Sequence, residues 1–153
     1  MQPRQRLIGV IGAAACDAAV AARAYEVGRR LAEAGCAVVC GGLGGVMAAA
    51  SRGAAEAGGL VIGLLPGDDP HAANPYVTVA IPTGLGEARN AVIALASEAL
   101  IAIAGGWGTL SEIALARKRG KPVVSLDSWR PDDSVLCATS PRHAVELALA
   151  TVR

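Results

Sequence analysis

Apolar residues along this chain fall into two alternating kinds of segment. One kind is short and almost continuously apolar: residues 7–12, 36–40, 60–65, 77–81, 99–103 and 121–126. Runs of that length and composition read as strands buried on both faces. The other kind carries its apolar positions at helical spacing. Val20, Ala24, Val27, Leu31 and Ala34 form one stripe, preceded by Asp17 as a helix N-cap and followed by Gly35 as a stop. A second, alanine-rich helix is predicted from Val46 to about Ala57, ending at Gly58-Gly59. A third covers roughly residues 87–97, and a fourth runs through residues 113–118 to Gly120. The last opens at Ser140-Pro141, with Val145, Ala148, Leu149 and Val152 as its stripe. A short edge strand is expected at residues 135–137. Strand and helix alternate throughout, which predicts an α/β fold. Its doubly wound, mostly parallel sheet has six or seven strands with helices on both faces. Residues 1–153 read as a single domain, without linker, repeat or low-complexity stretch.

Composition narrows the picture. Apolar residues make up 53% of the 153 positions, aromatics only 3%, and phenylalanine is absent. The core must therefore be built from small aliphatic side chains that let elements approach closely. A net charge of +1 and scarce aromatics give no case for a nucleic-acid partner. No uninterrupted apolar run reaches the roughly 18 residues of a membrane span. The segment after Arg4 and Arg6 reads as a strand and not as a signal peptide, so a cytoplasmic protein is expected. Cys16, Cys36, Cys40 and Cys137 lack metal-binding spacing and are expected to be buried, reduced thiols, with Cys36 and Cys40 on one strand face. His71 stands near Asp68 and Asp69, but with two histidines in the whole chain no metal site is expected.

The candidate chemistry lies in two glycine clusters, each between a strand and a helix. One is Gly41-Gly42-Leu43-Gly44-Gly45, followed by Val46-Met47. The other is Ala104-Gly105-Gly106-Trp107-Gly108-Thr109-Leu110-Ser111-Glu112. Glycines opening a helix let an anion approach backbone N–H groups, and the helix dipole favours negative charge there. Neither cluster is a Walker loop or a dinucleotide fingerprint. Gly41, Gly42, Gly44, Gly45, Gly105, Gly106, Gly108 and Thr109 are therefore candidates to hold a phosphate group. Thr109 and Glu112 also have the spacing of a capping box; alternatively Glu112 faces the ligand and works on its reacting bond. Arg89 and Asn90 follow the fourth strand and are placed to reach the site from a neighbouring strand end, although a solvated arginine has the same sequence pattern. Met47 packs in the core or against a flat ring. Trp107 is expected to be partly exposed, stacking on a base or filling a contact between copies.

These two clusters resemble those of the superfamily that contains the LOG ("lonely guy") proteins, once labelled lysine decarboxylases and now known as cytokinin-nucleotide phosphoribohydrolases. The resemblance covers nearly the whole chain. It is closest to the branch of molybdenum cofactor carrier proteins, where Ser51-Arg52-Gly53-Ala54, Thr83-Gly84 and Glu87-Ala88-Arg89-Asn90 look similar as well. It implies a Rossmann-like fold and a homodimer, in some members a dimer of dimers. By position it implies phosphate binding at Gly105, Gly106, Gly108 and Thr109, with Arg89 and Glu112 as catalytic residues of N-glycosidic hydrolysis. The chain departs from the LOG pattern at Ala104, where LOG enzymes carry proline. It also departs at Asn90, where they carry lysine, and at Ala13-Ala14, where a hydroxyl residue is usual. The departures point away from cytokinin-type hydrolysis and leave phosphate binding intact. Nothing in the sequence supports a lysine decarboxylase.

Two functions are compatible with this reading. One is a non-catalytic carrier of a phosphate-bearing small molecule, such as a nucleoside 5′-monophosphate, phosphate itself or a molybdopterin-type ligand, with no further cofactor required. The other is a nucleoside 5′-monophosphate phosphoribohydrolase acting through Glu112 and Arg89. The Arg89-Asn90 pair favours the carrier; Glu112 keeps the enzyme in play.

Overall fold

The computed structural model describes residue 1 and residues 3–152. Seven strands form one sheet: β1 (Leu7–Gly12), β2 (Ala37–Cys40), β3 (Val61–Leu65), β4 (Val79–Pro82), β5 (Ala99–Ile103), β6 (Val123–Leu126) and β7 (Leu136–Cys137). Their order is β4-β3-β2-β1-β5-β6-β7, and every pairing is parallel. Five helices connect them: α1 (Ala18–Glu33), α2 (Val46–Glu56), α3 (Arg89–Ala96), α4 (Trp107–Lys118) and α5 (Pro141–Thr151). The chain builds outward from β1 to β4, crosses back, and resumes at β5 on the other side of β1. That reversal opens a crevice above the carboxyl ends of β1 and β5, the usual ligand position in doubly wound sheets.

Side chains alternate across each strand and feed two apolar layers. Ile8, Val10, Val38, Cys40, Ile101 and Ile103 pack with α1, α2 and α5. Ile11, Val39, Leu64, Leu100 and Ala102 pack with α3 and α4. The small residues of α2 have a clear purpose. At its crossing with α1, a Cβ on Gly28 would lie 2.0 Å from the Ala50 carbonyl oxygen, and one on Gly53 would lie 2.0 Å from that of Tyr25. The two faces are unequally covered: three helices lie on one and two on the other. On the thinner side β4 is an edge strand whose Val79 and Ile81 are exposed, and Leu85 and Leu95 are exposed nearby. Among the described residues, no helix is long and apolar enough to cross a membrane.

The expected caps are present. Asp17 accepts from the Val20 N–H at 2.9 Å, and Ser140 accepts from that of His143 at 3.1 Å. Three expectations need correcting. The third helix opens with a separate 3-10 turn, Gly86–Ala88, because Gly84 and Gly86 both take positive φ and break the helical path. Strand β4 begins at Val79, later than its apolar run, since Thr78 spends its hydroxyl on the Val61 N–H. The cysteines are all free thiols, but only Cys36 and Cys40 are buried; Cys137 is exposed on the two-residue edge strand β7.

Candidate functional site

A cleft of about 280 Å³ opens at the β1–β5 crevice. The carboxyl end of β1 and the turn after it form its floor, from Val10 to Ala14. Gly41, Leu43 and Met47 bring the first glycine cluster to one wall; Gly106, Gly108, Thr109 and Glu112 bring the second to the other. Arg89, Asn90 and Ile93 of α3 complete it. The two clusters predicted from sequence thus meet across one space, because β2 and β5 flank β1 on either side.

The helices of the fold differ at their first turns. Helices α1 and α5 are capped by their own side chains, Asp17 and Ser140. Helices α2 and α4 begin on Gly45 and Gly106 and have no side-chain cap. Among the described residues, the N–H groups of Met47 and Ala48, and of Trp107, Gly108 and Thr109, have no backbone acceptor. A helix start leaves such donors for water or an anion to satisfy. At Gly106 and Gly108 an added Cβ would meet no protein atom within 4 Å, so the backbone there borders open space.

Four candidate glycines shape the turns without lining the cleft. Gly42 and Gly45 adopt φ of 78° and 60°, and a Cβ on Gly45 would lie 2.2 Å from the Ala13 carbonyl. Gly44 packs near the Ala14 carbonyl. Gly105 has φ 101°, and a Cβ there would lie 2.1 Å from the Thr109 hydroxyl oxygen. Ala104 itself sits at φ 50°, which a proline at this position could not adopt. Gly41 lies against Met47 Sδ and the Arg89 guanidinium, 2.6 and 2.7 Å from its would-be Cβ. Met47 is buried, as expected for packing, and also reaches the cleft.

Arg89 is a structural tie as well as a wall residue. Its Nη1 donates to the Gly41 carbonyl at 2.7 Å and to the Leu64 carbonyl at 2.5 Å, joining the ends of β2 and β3. Its Nε donates to Asn90 Oδ1 at 3.1 Å. Burial holds the guanidinium below its ordinary pKa, against the pull of Glu112; it stays charged nonetheless. The surface-arginine alternative therefore does not hold.

Glu112 is 9% exposed. Burial raises its carboxyl from 4.5 to about 7, and the nearby Arg89 charge offsets only part of this. No direct ion pair joins the two among the described residues. The capping box also fails to form. Helix α4 starts at Trp107, three residues earlier than the Leu110 that box requires, so Thr109 lies inside the first turn and Gly106 is the N-cap. The carboxyl of Glu112 is left facing the cleft.

Trp107 is more exposed than expected, at 77%. It stands outside the cleft wall and stacks on Trp129, with ring centroids 5.3 Å apart. The sequence reading missed Trp129, and it noted Ala13 and Ala14 as a departure from the LOG pattern but not as part of a Val10–Ala14 floor. Asp69 caps the 3-10 turn Pro70–Ala72 by accepting from the His71 N–H at 2.9 Å, and among the described residues no group of three or more His, Cys, Asp or Glu could hold a metal ion.

Comparison with known proteins agrees with this architecture. The SLOG cluster4 family matches residues 5–151. An uncharacterized protein of Archaeoglobus fulgidus is 42% identical over 144 residues, covering 94% of this chain and 95% of its own. The molybdenum cofactor binding protein of the phototrophic bacterium Rippkaea orientalis superposes with a TM-score of 0.92 at 38% identity. The alignment covers 99% of this chain and 100% of that one. The molybdenum cofactor carrier protein of Chlamydomonas reinhardtii superposes with a TM-score of 0.88 at 36% identity, covering 97% and 99%. With a cleft at the β1–β5 reversal, two uncapped glycine-led helices on it and a family match over nearly its whole length, this chain belongs to the SLOG cluster4 family.

Proposed function

We propose that this protein is a non-catalytic carrier of a molybdopterin-type, phosphate-bearing molecule, held in the cleft between the two glycine turns. The observation that carries the reading is the full-length likeness to solved proteins described as binding or carrying the molybdenum cofactor. The cleft chemistry fits such a cargo. Uncapped amides of α2 and α4 suit its phosphate. Asn90 and the remaining Arg89 donors suit oxygen acceptors, and the carboxyl of Glu112 suits the amino and ring N–H edge of a pterin. At about 280 Å³ the cleft is just under the usual size range for small-molecule sites, so part of a pterin phosphate stays outside it. A thin sheet face ending in Val79, Ile81, Leu85 and Leu95 is the surface on which two copies of the chain pair. The test is to mix the purified protein with molybdopterin, separate it by gel filtration, and measure pterin fluorescence after oxidation. Pterin that co-elutes at about one per chain supports the reading; pterin that elutes free refutes it.

One observation favours a second reading. Glu112 reaches the cleft with a carboxyl that titrates near neutrality. Such a group can give a proton to a departing base or take one from water. Incubation with nucleoside 5′-monophosphates should then release free base, and Glu112→Gln should abolish the release. Absence of free base removes this reading and leaves the carrier.

A further inference from the structure

We propose that Trp129, together with Ser128, is a positioning residue of the phosphate site; this rests on the carrier reading above. The residues lie on the loop after β6, outside the cleft wall. Trp129 Nε1 donates to the Gly105 carbonyl at 3.2 Å and to the Gly106 carbonyl at 3.0 Å. Ser128 Oγ donates to the Ala104 carbonyl at 2.5 Å. Three consecutive carbonyls of the second glycine turn are therefore held from outside. Ser128 is itself fixed, since its N–H donates to Ser125 Oγ at 3.0 Å.

The first glycine turn is held in the same way by unrelated residues. Arg89 binds the Gly41 carbonyl, the Asn74 N–H donates to that of Gly42 at 2.8 Å, and Asn74 Nδ2 donates to that of Leu43 at 3.0 Å. Successive peptide units whose oxygens are tied on one side cannot flip. A flipped peptide would aim a carbonyl, and not an N–H, at a bound anion. Each clamp therefore keeps acceptors away from the phosphate and the adjoining helix start supplies donors, which is preorganisation for an anion. Ala104 at φ 50° is part of the same arrangement: the clamp holds the turn in a conformation that alanine rarely adopts.

The experiment follows backbone amide resonances of Gly108 and Thr109 by NMR while inorganic phosphate is added. In the wild type these resonances should shift and saturate. Trp129→Phe keeps the aromatic ring and removes the N–H. Its phosphate affinity should be roughly tenfold weaker, the size of one or two lost hydrogen bonds, with resonances of α1 and α5 unchanged. Ser128→Ala, which removes the Ala104 bond alone, should give the same pattern at smaller size and serves if the tryptophan variant does not fold. Wild-type affinity in both variants overturns the proposal. If phosphate leaves the wild-type resonances unmoved, the phosphate reading itself falls. Backbone 15N relaxation of the ligand-free protein then decides the clamp: greater motion confined to residues 104–109 in Trp129→Phe supports it, and unchanged relaxation there overturns it.

Discussion

Replacing Glu112 with glutamine removes a buried titrating group while keeping its shape, and the consequence for stability can be worked out in advance. The unfolded chain releases this proton near 4.5; the folded protein holds it until about 7. Between those values the folded state binds more protons than the unfolded state. Stability of the wild type therefore falls as pH rises through this window, by up to about 1.4 kcal/mol per pH unit. Below 4.5 both states are protonated and nothing is lost; above 7 both are ionised and the loss is complete. Over the whole window the burial of the carboxylate costs about 3 kcal/mol. Glu112→Gln has no such proton and escapes the loss. Urea denaturation of both proteins from pH 4.5 to pH 8.5 measures the difference directly. The variant should gain on the wild type steadily through the window, ending about 3 kcal/mol ahead of its relative position at pH 4.5. A difference that stays flat to within a few tenths of a kcal/mol would show that Glu112 is not held protonated by burial, and the reasoning about its environment would be wrong.

Further predictions follow from the same geometry. Gly108→Ala adds a methyl group that meets no protein atom, in a helix position where alanine is favoured by up to about 1 kcal/mol; thermal stability should hold or rise while calorimetric affinity for the phosphate-bearing ligand falls, and unchanged affinity would place the ligand elsewhere. Arg89→Ala removes the single Nη1 that donates to both the Gly41 and Leu64 carbonyls, so the thermal midpoint should drop by several degrees, equivalent to roughly 1–3 kcal/mol; a midpoint within one degree of wild type, on the order of a few tenths of a kcal/mol, would deny the arginine its structural role. Light scattering should give the mass of a dimer or tetramer for the wild type and of a monomer for Ile81→Lys combined with Leu95→Glu, and wild-type mass in that variant would exclude the thin face as the contact.

The architecture was readable because most strands are apolar runs and helices α1 and α5 begin or end on residues with a local mechanism, Asp17, Gly35 and Ser140, whereas α3, which has no such cap, was placed less well. The two glycine turns were readable for the same reason: they interrupt the pattern between a strand and a helix. What was not readable depends on contacts between residues remote in sequence. Nothing near Trp129 or Ser128 signals that they bind carbonyls some twenty positions earlier. Arg89 carries no local mark of its bonds to the ends of β2 and β3. Thr109 and Glu112 have cap spacing, but the glycines before them let the helix start earlier, at Trp107, and this frees the carboxyl for the cleft. Ala13 and Ala14 form part of the floor only because the strand order puts β1 between β2 and β5.

The most direct test of the central idea is a crystal structure of the protein grown with a saturating phosphate-bearing pterin. The account predicts electron density for the phosphate within hydrogen-bonding distance of the Gly108 and Thr109 amides, with the pterin extending toward Asn90 and Glu112. A cleft that stays empty of ligand under those conditions, or a pterin seated elsewhere on the sheet, would contradict it.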